Sequence, residues 1–175
     1  MQLRHVMSLG LAALALAACN SSEEVEETEE VAQPEPVLTP APQATTAPDG
    51  TALVPGSWIV NENAQGAMAM FGEANTEPSL TIDCEAATGT VTMTLSIDAS
   101  GPEAWRLDAG GEAARIDMAP VEGPLPLLGA EIEPSLAIFH AFSNPDEVVT
   151  LTAPTGERWQ YPTHPGISRV LYACS

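Results

Sequence analysis

The 175-residue chain contains no lysine, and only five arginines stand against 24 acids. Nucleic acid and anionic lipid headgroups are held by a basic stripe, and no such stripe exists here, so nucleic-acid binding is excluded. Histidine is almost as scarce, with His5, His140 and His164 as the whole supply. The common zinc catalytic sets need more than the second and third can provide. Long apolar runs are missing too. The one at the start, Val6 to Ala18, falls short of the roughly 20 residues that span a bilayer. Cysteine occurs only as Cys19, Cys84 and Cys174. Gly-x-Ser-x-Gly, the Walker loop and Gly-x-Gly-x-x-Gly are all absent, which removes the common nucleophile-elbow and nucleotide-binding motifs.

The first 18 residues follow the build of a secretory signal peptide: Arg4 and His5 as a positive start, an apolar middle, and small residues before Cys19. Leu16-Ala17-Ala18-Cys19 resembles the processing motif of bacterial lipoproteins. The resemblance implies a diacylglyceryl group on the Cys19 thiol, cleavage after Ala18 and acylation of the new amine. Two or three acyl chains would anchor the protein stably, since each buried methylene contributes about 0.8 kcal/mol. Asn20 is not the aspartate that favours inner-membrane retention in the family, which implies the outer membrane, facing the periplasm. An ordinary signal peptide with a chance cysteine is the competing reading. It leaves the abrupt switch from apolar to acidic residues unexplained.

Removing residues 1–18 takes away one arginine and no acid, so the remainder is more acidic still. Residues 19–50 read as a lipidated tether. Six glutamates lie between Glu23 and Glu30, followed by Pro34, Pro36, Pro40, Pro42 and Pro48, with no aromatic residue and no apolar period. Such a segment cannot bury enough surface to offset the entropy of ordering. It would average roughly 30 Å end to end if flexible and reach about 95 Å if polyproline-like. A cation site in the glutamate run is disfavoured, because a run without fixed geometry holds divalent ions weakly.

Residues 51–175 are long enough for one domain with its own core. In "TVTMTLSID", Thr90 to Asp98, Val91, Met93, Leu95 and Ile97 alternate with Thr92, Thr94, Ser96 and Asp98, the pattern of a half-buried strand. "SLTIDCE" before it puts Leu80, Ile82 and Cys84 on one side, with Ala86 to Gly89 as a hairpin turn. Further strands are expected over Ser57–Asn61, with Trp58 and Val60 inward, and over Ala67–Gly72. Two more hairpins follow, one turning at Ala109-Gly110-Gly111 and one at Pro154-Thr155-Gly156. Pro134–Phe142 reads as a short helix. In the last helix Ile167, Val170, Leu171 and Cys174 share a face, with Thr163 as its cap and Pro165 in its first turn. The fold class expected is mainly β: an antiparallel sandwich or open barrel of about six to eight strands, with one short internal helix and a C-terminal helix.

If Cys19 carries lipid, an even pair remains in an oxidising compartment, which reads as a disulfide. Cys84 and Cys174 both point at the expected core, so a Cys84–Cys174 bridge should clamp the last helix to the sheet. A two-cysteine metal site lacks further ligands nearby.

Candidate chemistry is thin. Met68 and Met70 share a strand face and could bind copper(I), but methionine fills cores routinely and Ala67 and Ala69 add no ligand. The pairs Glu131/Glu133 and Asp146/Glu147 suggest a two-carboxylate hydrolase, yet among 16 acids in residues 51–175 some such pair arises by chance. Trp105 reads as core, and Trp159 and Tyr161 as packing on one strand face. Arg106, Arg115, Arg158 and Arg169 each call for an ion-pair partner of little energetic weight. His140 on a helix surface and His164 between prolines read as structural.

Trp58-x-Val60, Phe71-Gly72, Glu77-Pro78-x-Leu80-x-Ile82-x-Cys84, and then Pro165, Ile167, Arg169-Val170 and Cys174 together resemble a loose group of uncharacterised proteobacterial envelope proteins. No catalytic or ligand set comes with that group. The function expected is a lipid-anchored, non-enzymatic binding or envelope-support module with a periplasmic protein partner, no cofactor and no metal. The alternatives are an inhibitor of a cationic hydrolase such as lysozyme, toward which an acidic domain would be steered, and a small-ligand or metal carrier.

Overall fold

The computed structural model describes residues 44–174. The signal peptide, Cys19 and residues 20–43 of the tether lie outside the described residues. Nine strands make one antiparallel sheet: β1 (Ser57–Asn63), β2 (Gly66–Gly72), β3 (Leu80–Glu85), β4 (Thr90–Leu95), β5 (Glu103–Ala109), β6 (Glu112–Val121), β7 (Leu127–Ile132), β8 (Val148–Thr152) and β9 (Arg158–Pro162). Their spatial order is β1-β2-β3-β4-β7-β6-β5-β8-β9. The chain is therefore mainly β, an open and curled sheet, with nine strands instead of six to eight.

The alternation that marks β4 in sequence is the cause of its two faces. Val91, Met93 and Leu95 are buried, while Thr90, Thr92 and Thr94 are half-buried on the other side. The same period holds in β2 and β3, so one face carries a continuous core, and the opposite face is polar in β3 and β4 but carries Met68 and Met70 in β2. The strand stops at Leu95, short of the expected Asp98. There the chain turns, with Ser96 Oγ donating to the Pro78 carbonyl at 2.5 Å and Ile97 N–H to Leu95 at 3.0 Å.

Aromatic side chains close the curl. The Trp58 indole N–H on β1 donates to the Pro162 carbonyl on β9 at 2.6 Å, joining the first and last strands of the order. Phe71 stands edge-on to Trp58 at 5.3 Å and to Tyr161 at 5.4 Å, so three strands meet over one aromatic cluster. Trp105 is 2% exposed and so belongs to the core, with Trp159 packed 5.1 Å away.

The two helices cover the core face. The internal one is α1 (Ala137–His140), continued by a tighter turn over Ala141–Ser143 that buries Phe142. The C-terminal one, α2 (Ile167–Ala173), buries Ile167, Val170 and Leu171 against β2 and β3. Thr163 does not cap it. Its hydroxyl donates to the carbonyls of Asn144 and Glu147, and the helix starts after Gly166 with no side-chain cap. Cys174 bonds Cys84, with Cα atoms 5.8 Å apart across a separation of 90 residues.

Residues 44–50, assigned to the tether in sequence, form a turn with the residues after them. Thr46 bridges Ala52, Asp49 Oδ1 accepts from Thr51 N–H at 2.9 Å, and Val54 N–H donates to Gln160 on β9 at 2.9 Å. Ala47 and Leu53 are buried there.

Candidate functional site

The face of β1–β4 opposite the core holds a hollow of about 770 Å³. Cross-strand register builds it in two rows. Asn61, Met68, Asp83, Thr92 and Glu131 stand opposite one another in turn across β1, β2, β3, β4 and β7. Beside them run Asn63, Gly66, Glu85 and Thr90. All but Glu131 line the hollow, together with Gln65.

Gly66 explains why there is a hollow at all. Its φ is +150°, and an ideal Cβ would sit 1.8 Å from the Cys84 carbonyl oxygen. Only glycine fits, so the second row has no side chain between Asn63 and Glu85. The walls are braced. Ala86 N–H donates to the Gln65 carbonyl at 2.9 Å, tying one hairpin turn to the next, and the Cys84–Cys174 bridge lies beneath on the core side.

Asn63 Oδ1 accepts from Gln65 N–H at 2.8 Å. Glu85 Oε2 accepts from the Thr88 hydroxyl at 3.0 Å. Asp83 is half-buried, and desolvation first, then the neighbouring Glu85, raise its carboxyl above the usual range. No arginine or histidine lines the hollow.

The residues singled out in sequence are mostly dispersed. Met68 and Met70 do share a face, with Met68 in the hollow and Met70 one pair further along β2. Glu131 lies in the first row opposite Thr92, whereas Glu133 accepts from the Ser135 hydroxyl at 2.8 Å. Asp146 and Glu147 lie instead beside a second, more apolar groove of about 550 Å³ under the residue 44–53 turn. The ring of His140 packs 6.0 Å from Tyr172. His164 Nδ1 accepts from Gly166 N–H at 3.1 Å, and burial, then the charge of Arg169, lower its pKa. Arg106 pairs with Asp108, Arg115 with Asp117 and Arg169 with Glu62, at 2.5, 2.7 and 3.0 Å. Arg158 is close enough to Asp49 to help lower that carboxyl, after the hydrogen bonds from Thr51 and Gln160.

Sequence reasoning did not single out Asn61, Asn63, Asp83, Glu85, Thr90 or Thr92. Alternation places Asp83 and Thr92 on the polar face, but strand order is what sets them side by side. Among the described residues, no group of three or more His, Cys, Asp or Glu is placed to hold a metal ion, and no helix is long and apolar enough to cross a membrane. Comparison with protein-family models, curated proteins and solved structures finds no match to the chain.

Proposed function

We propose that the chain is a lipid-anchored protein of the cell envelope whose β domain is a non-enzymatic binding module, working through the hollow over β1–β4. One observation carries the binding half. A concavity on a sheet face collects amide, hydroxyl and carboxylate side chains, of which Asn63 and Glu85 also make hydrogen bonds within their own hairpin turns. The anchoring half rests on Leu16-Ala17-Ala18-Cys19 and on the acidic, proline-rich stretch after it. Asn20 supports an outer-membrane address facing the periplasm.

Photo-crosslinking in the native envelope tests this reading. A photoreactive residue at Glu131, in the first row beside the hollow, should yield a discrete adduct that the same residue at exposed Glu157, on a distant hairpin, does not. Equal adducts from both positions, or none from either, would remove the hollow from the account.

A second reading, inhibition of a cationic hydrolase, draws support from the 16 acids against four arginines in residues 51–175 and from the two carboxylates in the hollow. Lysozyme turnover measured with the purified chain in excess decides it, and unchanged turnover rejects it.

A further inference from the structure

We infer that the hollow over β1–β4 binds a neutral glycan, a chain of hydroxyl-bearing rings; the assignment rests on the binding-module reading above and names its ligand class. A sugar hydroxyl donates one hydrogen bond and accepts others, so it is met best where donors and acceptors stand side by side. Asn61, Asn63 and Gln65 bring amides, Thr90 and Thr92 bring hydroxyls, and Asp83 and Glu85 add acceptors. Met68 sits between Asn61 and Asp83 in the first row and offers an apolar surface to the C–H face of a ring.

Other ligand classes leave much of this lining unmatched. A phosphate or carboxylate would meet two acids and no cation. An apolar ligand would bury the amide NH₂ groups of Asn61, Asn63 and Gln65 without offering them an acceptor. One ammonium or guanidinium would satisfy Asp83 and Glu85 and leave the amides and threonines unused. A neutral glycan has hydroxyls that match donors and acceptors alike, and the volume of about 770 Å³ lies within the range of roughly 300–1,000 Å³ common to small-molecule sites. The backbone that carries these groups is fixed by strand pairing and by the Ala86–Gln65 hydrogen bond, so the ordering needed on binding is confined to side chains.

The experiment is isothermal titration calorimetry of the full chain, in a detergent without a sugar headgroup. Three probes are used: chitotetraose, cellotetraose and a tetra-arginine peptide. The expected result is saturable binding of at least one of the two glycans with Kd at or below about 1 mM. Asn61→Ala and Thr92→Val should each weaken it at least tenfold without moving the thermal unfolding transition, and Glu157→Gln should leave it unchanged. The glycan assignment is overturned if neither glycan saturates, if the peptide alone binds, or if affinity survives both hollow substitutions. The crosslink from Glu131 in the envelope separates this failure from that of the broader reading. If the crosslink persists without glycan binding, the ligand class is wrong; if it is lost as well, the hollow is not a site.

Discussion

Gly66 and Tyr161 show how single positions constrain this molecule. At Gly66 a methyl group has no space, because the Cys84 carbonyl oxygen stands 1.8 Å from where the Cβ would be and the backbone φ is +150°. Gly66→Ala should therefore lower stability by at least about 2 kcal/mol, in the range of strained backbone combined with overpacking. Urea denaturation measures this, and a variant within about 0.5 kcal/mol of the parent would show that the strand bends freely there. Tyr161 is 1% exposed, and burial pushes its hydroxyl up to about 12, partly countered by a hydrogen bond with Ser79. An acid whose folded pKa lies above its unfolded value of about 10 keeps its proton longer in the fold. Its contribution is then whole below pH 10 and is lost as pH rises toward 12, amounting to about 3 kcal/mol. Stability should fall over that window, and Tyr161→Phe should flatten the fall. A slope of equal size in the variant would assign it to other groups.

At the scale of elements, α2 depends on its surroundings. Seven residues, Ile167–Ala173, are far fewer than the 12–15 or so that an isolated helix needs. The helix is held by three buried side chains at its inward face and by the bridge to Cys84. Closing a loop of 90 residues contributes roughly 4–5 kcal/mol in the chain-entropy model, and often less in practice. Replacing both cysteines by serine should cost about 3–5 kcal/mol. Amide exchange across residues 167–173 should accelerate before that of β3 and β4. If the helix and the sheet lose protection together, the bridge acts on the whole fold instead of pinning its last element.

Elements with strict alternation were legible in sequence. β4 and β3, the Gly110-Gly111 and Pro154–Gly156 hairpins, the inward Cys84 and Cys174 and both helices were found in place. β7 was not among the expected strands; Gly129 interrupts its apolar pattern, and Gly123, Pro124 and Pro126 precede it. The structure gives that glycine a purpose: Val121 Cγ2 from β6 lies 2.7 Å from where its Cβ would be. The turn over residues 44–53 was hidden in the same way. Pro48-Asp49-Gly50 is good turn chemistry, with Gly50 at φ +83°, but it follows so much proline that it read as tether. The hollow was the least legible feature. Its residues come from four strands and one turn, and no spacing along a single chain encodes which strand lies next to which.

At the scale of the molecule, two different accounts of stability and place meet. The domain stands on its own core, with Trp58, Phe71 and Tyr161 joining the first, second and last strands of the sheet order. The proposed location depends instead on residues 1–43: the proposed export signal, the proposed lipid on Cys19 and the acidic, proline-rich stretch after it. The strong excess of acids over arginines fits a domain that stays clear of anionic headgroups while held near them. It also makes any polyanionic partner a poor match, which favours neutral or cationic ones.

Intact-mass spectrometry of the chain purified from its native membrane, without reduction, tests the proposed anchor most directly. The expected mass is that of residues 19–175, plus a diacylglyceryl group and an amide-linked acyl chain, less the two hydrogens of one disulfide. A mass equal to residues 19–175 without lipid, or to the uncleaved chain, would contradict it.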